Sequence, residues 1–133
     1  MPIVEMAKEI AVKVKNEVGT GAAVFKAFSD PGINIRAFGG YSGDADSGYL
    51  LIVPEDFDTA IKVLKESDFE VKVSDIVLAE LPNRPGALAD AMEKLAKKKI
   101  NVQNAYATAF GKKSTLAVFK VNDAKKAIKA LEE

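Results

Sequence analysis

Asn83-Arg84-Pro85-Gly86-Ala87-Leu88 is the stretch of sequence from which the fold can be worked out. It follows an apolar segment, residues 76–79, which predicts a strand, and it precedes apolar residues spaced at helical intervals. That spacing predicts a helix with one apolar stripe facing the core. The stripe consists of Leu88, Ala91, Met92 and Leu95.

The turn carries residue types that begin a helix. Asn83 is the predicted N-cap, because its side-chain oxygen can accept a hydrogen bond from a first-turn N–H. Pro85 fits the first turn, where its missing N–H has no helical partner, and Gly86 lets backbone or ligand come close. Free amides and a positive dipole end suit a carboxylate. A helix start without any ligand is the simpler interpretation of this stretch alone.

The same pattern occurs twice, with an offset of 67 residues. Asn16 pairs with Asn83, Gly19 with Gly86, and Asn34 with Asn101. Further pairs at this offset need no gap: Ala22/Ala89, Ile33/Ile100, Asp56/Asp123, Ala60/Ala127, Ile61/Ile128, Lys62/Lys129 and Leu64/Leu131. A repeat that spans the chain predicts two copies of one module, with boundaries at residues 1–74 and 75–133.

Each module reads β-α-β-β-α, and one further strand completes β-α-β-β-α-β, the ferredoxin-like plan. The predicted fold class is therefore α+β, with two ferredoxin-like modules in tandem, antiparallel sheets and helices on one face. Residues 69–73 supply the last strand of the first module. The second module has no such strand of its own, so residues 2–6, which match 69–73 in register, are predicted to complete its sheet.

Turn-forming residues and apolar periodicity set the remaining boundaries. Strands are predicted at 2–6 and 9–14, and again as separate strands at 69–73 and 76–81. Pro54 is predicted to start a helix. Residues 39–48 predict a long hairpin turn rather than a cation loop, since calcium loops need more oxygen ligands in a stricter order. The second module continues with helix 87–99, strand 100–107, a turn at Gly111-Lys112, strand 115–121 and helix 123–132.

Composition excludes several classes of function. The 133 residues carry no net charge, and they include no cysteine and no histidine. A balanced charge gives no electrostatic footprint for nucleic acid or an acidic membrane. The sequence shows no signal peptide and no apolar run long enough to span a bilayer, so a cytoplasmic location is expected. No nucleophile–base pair occurs at a motif, which argues against an enzyme, and the sequence predicts no cofactor and no metal site.

The duplicated module, with Asn-Arg-Pro-Gly-Ala-Leu at its first strand-to-helix turn and Ile-Asn-Val opening its second strand, resembles a tandem ACT-domain protein. ACT domains are small-molecule sensing modules attached to many enzymes of amino-acid metabolism. The resemblance covers essentially the whole chain and is stronger in residues 70–133 than in residues 1–69.

The chain is similar in particular to the serine-binding ACT domains of phosphoglycerate dehydrogenases, in which ligands sit where two modules meet. The resemblance implies that the loop and second-strand asparagines contact the amino acid. The implied ligand-binding residues are Asn83, Arg84, Pro85, Gly86, Ala87, Leu88, Asn101 and Val102, with Asn16, Glu17, Gly19, Thr20, Asn34 and Ile35 in the first module. That family carries a histidine where this chain has Leu81 and Val14, so serine and a less polar amino acid both remain candidate ligands.

A regulatory protein that binds a free amino acid or a similar zwitterion is therefore predicted. The alternative is a regulator that dimerises and binds another protein without a small ligand. RNA-binding modules share the β-α-β-β-α-β order but stack bases on exposed aromatics of the central strands, and strand 115–121 offers one phenylalanine. A homodimer and an enzyme of amino-acid metabolism are the expected partners.

Overall fold

The computed structural model describes residues 3–109 and 113–133 of the chain. The elements in chain order are β1 (Val4–Lys15), α1 (Thr20–Ser29), β2 (Ile35–Ser42), β3 (Ser47–Pro54), α2 (Phe57–Glu66), β4 (Glu70–Pro82), α3 (Ala87–Lys97), β5 (Val102–Ala109), β6 (Ser114–Val121) and α4 (Ala124–Glu132). The described chain divides into two compact units. We call residues 8–74 the first unit, and residues 3–7 with 75–109 and 113–133 the second unit.

The first unit is a β-α-β-β-α-β module with strand order β2-β3-β1-β4. Strand β3 pairs antiparallel with both β1 and β2. Helices α1 and α2 pack through Phe28 and Leu64 against Ile10 and Ile52 of the sheet. The order of the elements and the shared core follow the ferredoxin-like plan.

The second unit repeats this arrangement with the order β1-β4-β6-β5. Helices α3 and α4 pack through Leu95 and Leu131 against Val77 and Phe119 of the sheet. The outer position beside β4 is occupied by the N-terminal segment, since the Glu80 N–H donates to the Ile3 carbonyl oxygen at 2.7 Å. The predicted α+β fold class is confirmed, and the N-terminal segment completes the sheet of the second unit.

Some predicted boundaries are wrong because backbone pairing overrides local sequence signals. The strands predicted at 2–6 and 9–14 belong to one strand, β1, and those at 69–73 and 76–81 belong to β4. Pro54 ends β3, and α2 begins at Phe57 after the N-cap Asp56. The glycine-rich stretch 39–48 is mostly strand, because β2 continues to Ser42 in register with β3.

The buried face of α3 matches the predicted stripe only in part. Ala91 and Leu95 are buried as expected, but Ala87 joins them in place of Leu88 and Met92. The exposed fractions of Leu88 and Met92 are 48% and 42%. Small alanine side chains let a helix lie close to a sheet, which explains why the two larger side chains remain outside.

Helix α3 ends at Lys97 rather than at the predicted residue 99, and α4 begins at Ala124 after its N-cap Asp123. Strand β5 begins at Val102 rather than at residue 100. The turn predicted at Gly111-Lys112 lies outside the described residues. Across residues 3–109 and 113–133, every helix is too short or too polar to cross a bilayer.

Candidate ligand-binding turn

The turn between β4 and α3 is built around a glycine with a left-handed backbone. Gly86 has a φ of 86° and is the N-cap of α3, with no side-chain cap hydrogen bond. The prediction of Asn83 as the N-cap is therefore wrong. Two backbone hydrogen bonds, from the Arg84 N–H to the Pro82 oxygen and from the Ala87 N–H to the Arg84 oxygen, complete the turn before the helix begins.

Asn83 is fixed by the neighbouring hairpin instead. Its backbone N–H donates to the carbonyl oxygen of Lys113 at 3.1 Å, next to the pairing of Pro82 with Ser114. The Asn83 side chain is exposed. The hairpin thus holds the start of the turn in place.

A cleft of about 290 Å³ opens directly at this turn. All six residues of the stretch Asn83–Leu88 line it, although Ala87 itself is buried. The remaining lining residues are Leu81, Pro82, Ala89 and Thr115. A mostly apolar wall with a few polar groups at one end is typical of small-molecule sites.

The polar end of the cleft is the N-terminus of α3. Helix geometry leaves the first-turn N–H groups of Leu88 and Ala89 without an intrahelical acceptor. These two residues line the cleft, and the helix dipole adds a positive potential at the same place. An anionic group such as a carboxylate fits this end of the cleft.

Arg84 bends back over the helix start. Its Nη1 donates to the Pro85 carbonyl oxygen at 3.2 Å, and its Nη2 forms an ion pair with Asp90 Oδ2 at 3.1 Å. A second cleft of about 230 Å³ is also lined by this arginine. The two clefts share Leu81, Pro82, Arg84 and Ala87, so Arg84 borders both.

The corresponding turn of the first unit has the same backbone and different contacts. Gly19 has a φ of 92° and is the N-cap of α1. The Thr20 hydroxyl donates to the carbonyl oxygens of Lys15 and Glu17 at 2.9 and 3.1 Å, and the Asn16 side chain donates to the Ala45 oxygen at 3.4 Å. Thr20 therefore makes its hydrogen bonds within the turn, whereas Asn16 makes its hydrogen bond to the neighbouring hairpin.

A cleft of about 270 Å³ lies near this first turn, but the predicted residues Asn16, Glu17, Gly19 and Thr20 do not line it. Its walls come from the end of β1, the β2–β3 hairpin and the start of β4. In the second unit the predicted turn residues Asn83–Leu88 line a cleft, whereas the predicted turn residues of the first unit do not line the cleft near them.

The second-strand asparagines lie at the far end of each unit. Val102 pairs with Val121, whereas Pro82 pairs with Ser114 at the other end of β6. Seven residues of strand separate these two levels, which corresponds to about 23 Å at ~3.3 Å per residue. Asn101 and Asn83 therefore do not meet within the second unit, and Asn34 and Asn16 are separated in the same way in the first.

Both far-end asparagines contact the loop that follows the neighbouring strand. Asn34 Nδ2 donates to Glu55 Oε2 at 3.0 Å, and the Asn101 N–H donates to Asn122 Oδ1 at 3.1 Å. Ile35 and Val102, the next residues, are half-buried and pack against the cores. These contacts give the four residues a structural role in the present arrangement.

The acidic β2–β3 turn is closed by its own hydrogen bonds. Asp44 Oδ1 accepts from the N–H groups of Asp46 and Ser47, both at 2.8 Å, and from the Ser47 hydroxyl. These bonds, first the one from the Ser47 N–H, lower the pKa of Asp44 below its usual value. Within residues 3–109 and 113–133, no group of three or more His, Cys, Asp or Glu side chains is arranged to hold a metal ion.

Sequence reasoning missed one charged residue at the site, Asp90. The signal was present: Asp90 lies four residues after Gly86, in the first turn of α3, where an acidic side chain can reach the preceding loop. The first repeat has Ala23 at that position, so an ion pair with the residue at the Arg84 position is specific to the second unit.

The chain belongs to the ACT domain family. The family model, described as an ACT domain pair, matches residues 6–132. The matched model describes a pair of ACT domains and no catalytic domain.

Among solved structures, a protein from Bacteroides thetaiotaomicron is similar over 97% of this chain and 88% of its own, with 28% identity and a TM-score of 0.89. The regulatory subunits of aspartate kinase from Thermus thermophilus and Thermus flavus cover 98% of this chain and 94% of their own. They are each 16% identical, with TM-scores of 0.70 and 0.67, and they share the fold. None of the curated proteins compared matches the sequence.

Proposed function

We propose that this protein is a regulatory, non-enzymatic ACT protein that binds a free amino acid at the β4–α3 turn. The observation that carries the proposal is the cleft at that turn, which is lined by every residue of Asn83–Leu88 and ends at the N-terminus of α3. The helix start supplies donors for the carboxylate. Asn83 lines the same cleft, and the oxygen of an amide side chain can accept a hydrogen bond from an ammonium group without adding a charge that needs its own partner.

The apolar wall of the cleft favours a ligand with an apolar side chain. Leu81 stands where the serine-binding domains carry a histidine, and Pro82, Pro85 and Leu88 also line the cleft. Burying apolar ligand surface against an apolar wall contributes favourably to the free energy of binding. Leucine, isoleucine and valine are therefore expected to bind more tightly than serine. That the ligand also touches a second module, as the resemblance implies, stays a prediction.

A thermal-shift screen against the twenty amino acids tests the proposal. A ligand that binds only the folded protein raises the melting temperature, and at ~100 times its Kd it adds about 2.7 kcal/mol to the free energy of unfolding. We expect at least one apolar amino acid to produce a shift. A screen in which none of the twenty amino acids changes the melting temperature contradicts the proposal.

A second function, regulation through protein–protein contact alone, is favoured by two exposed aromatic residues of β2, which lie on opposite faces of the strand. Phe38 and Tyr41 are 52% and 57% exposed on this strand, which lies at the edge of the first unit's sheet. Exposed aromatics on an edge strand suit pairing with another chain. Amino-acid binding and protein–protein contact are combined if the protein is a cytoplasmic homodimer that acts on an enzyme of amino-acid metabolism. Sedimentation of the wild type and of Phe38→Ser/Tyr41→Ser tests the dimer.

A further inference from the structure

We infer that Arg84 selects a carboxylate group at the β4–α3 turn and that Asp90 competes with the ligand for Arg84. The inference rests on the proposed function and adds a specificity-determining residue and a residue that sets the affinity. It follows from the position of Arg84 in the walls of both clefts and from its ion pair with Asp90.

The guanidinium group lies within reach of the ligand site in its present position. A Cβ atom built on Gly86 would lie 3.7 Å from Arg84 Nη1, so the group stands directly above the helix start. A carboxylate seated on the Leu88 and Ala89 amides therefore lies close to this arginine. Arginine is suited to this contact, because its planar fork can hold both oxygens of one carboxylate.

The present ion pair is easily opened. The side chains of Arg84 and Asp90 are each 56% exposed, and exposed ion pairs contribute little to stability because water screens them. A ligand carboxylate can accept from the Leu88 and Ala89 N–H groups in addition to Arg84, whereas Asp90, which lies in the first turn of α3 itself, is bonded to Arg84. The exchange of Asp90 for ligand on Arg84 is therefore favourable overall.

Asp90 is not left isolated when Arg84 moves to the ligand. Lys94 lies four residues later on the same helix, where side chains at i and i+4 are neighbours. Both residues line the second cleft. Because Lys94 supplies a replacement cation and water supplies solvation, Asp90 can release Arg84 at low cost.

The first unit lacks both members of the ion pair. Glu17 stands at the position of Arg84, and Ala23 at the position of Asp90. A carboxylate ligand at that turn would meet a like charge, which opposes binding. The inference therefore includes a stoichiometry of one carboxylate ligand per chain.

Isothermal titration with L-leucine and L-leucinamide, and with L-serine and L-serinamide, tests the inference on the full chain. The wild type is expected to bind the carboxylate member of at least one pair more tightly than the amide. Arg84→Gln should reduce that preference at least tenfold, and Arg84→Lys should keep part of it. Asp90→Asn should tighten carboxylate binding three- to tenfold and leave amide binding unchanged, a selectivity change that a merely structural role would not produce.

Glu17→Gln is the matched control, since it changes a charge at the same position of the other turn. It should alter neither the affinity for the carboxylate nor the affinity for the amide. If the wild type binds a carboxylate and Arg84→Gln keeps the full preference, Arg84 is not the selecting residue while the proposed function stands. If Asp90→Asn binds no more tightly than the wild type, the competition is refuted. If the wild type binds neither member of either pair and none of the other amino acids raises its melting temperature, the proposed function fails with the inference.

Discussion

The turn at Asn83–Gly86 and the turn at Asn16–Gly19 share a backbone conformation but differ in the charge of their side chains. Both end in a glycine N-cap with positive φ, 86° in one and 92° in the other. The residue after the asparagine is Arg84 in one turn and Glu17 in the other. The difference shows that the repeat preserves the features needed for folding, whereas the charge presented at the helix start has changed sign.

The C-terminal ends of α1 and α3, the first helix of each module, likewise share a backbone conformation although their residues differ. Gly32 after α1 and Lys99 after α3 both have a left-handed backbone, with φ of 72° and 58°. The residue after each, Ile33 and Ile100, donates its N–H to the carbonyl oxygen five positions earlier, at 3.0 Å in both units. The Schellman geometry is conserved between the repeats even where the glycine is replaced.

The largest expected effect is on the free energy of unfolding, when an equivalent core leucine is truncated in each of the two units. Leu64 and Leu131 occupy the same position in the two repeats and are 0% and 8% exposed. Leu64→Ala and Leu131→Ala should each lower the free energy of unfolding by about 2–5 kcal/mol, because each leaves a cavity. Urea unfolding checks this, with the exposed matched pair Lys62→Ala and Lys129→Ala as controls. A loss below about 1 kcal/mol in either leucine variant would break the structural equivalence of the repeats.

The next largest effect is expected when the glycine N-caps of α1 and α3 are substituted. Gly19→Ala and Gly86→Ala should each cost about 1–2 kcal/mol, the strain of a side chain in the left-handed region, since nothing else crowds an added Cβ. Only Gly86→Ala should also weaken amino-acid binding. Gly21→Ala, within α1 at an unstrained position, should leave stability unchanged or slightly higher. Equal binding by the two N-cap variants would contradict the assignment of the ligand to the second unit.

A smaller effect compares the aspartates that cap the second helix of each module. Asp123 Oδ1 accepts from the Lys126 N–H, and Asp123→Ala should cost about 1 kcal/mol. Asp56 accepts from both the N–H and the hydroxyl of Thr59. Asp56→Ala should therefore lower the melting temperature at least as much as Asp123→Ala, and the opposite ranking in thermal unfolding would show that the hydroxyl contact adds nothing.

The cap at Asp56 also predicts a pH dependence. The hydrogen bonds from Thr59, first that of its hydroxyl, lower the pKa of Asp56 in the folded state. A depressed folded pKa contributes stability that is present above the unfolded pKa of about 3.9 and is lost as the pH falls through the folded value. The difference in melting temperature between wild type and Asp56→Asn should thus be constant above about pH 5 and shrink below about pH 4. A difference that grows on acidification would contradict this sign.

The smallest effect concerns the left-handed residues at the helix ends. Lys99→Gly should stabilise the protein by about 0.5–1 kcal/mol, because glycine removes the backbone strain at a modest entropic cost. Gly32→Lys should destabilise it by a similar amount. Chemical denaturation of both variants measures the pair, and a loss of stability in Lys99→Gly would show that the lysine side chain itself contributes there.

The sequence was sufficient for the fold because the repeat and the apolar periodicity are global signals. The match of residues 2–6 with 69–73 pointed to the N-terminal segment, whose Ile3 carbonyl indeed accepts a hydrogen bond in the second unit. Local signals were weaker. Pro54 predicted a helix start, but as the last residue of β3 it is held by pairing with Ile35.

The candidate site was only partly predictable for a similar reason. The stretch Asn83–Leu88 is contiguous, so its residues had to lie together, and all of them line one cleft. Asn101 lies at the other end of the unit, which depends on strand direction rather than on sequence distance. The position of Asp90 in the first turn of α3 indicated an acidic residue near the loop, but its pairing with Arg84 is a side-chain contact that only the structure shows.

The most direct test of the account is an amide chemical-shift titration of the full chain with the amino acid that raises the melting temperature most. We predict that the amides of residues 83, 84 and 86–89 shift with a single saturating isotherm at one ligand per chain, whereas those of residues 16–22 remain unchanged. Equal shifts at both turns, or shifts confined to residues 16–22, would contradict the claim that the second unit alone holds the ligand.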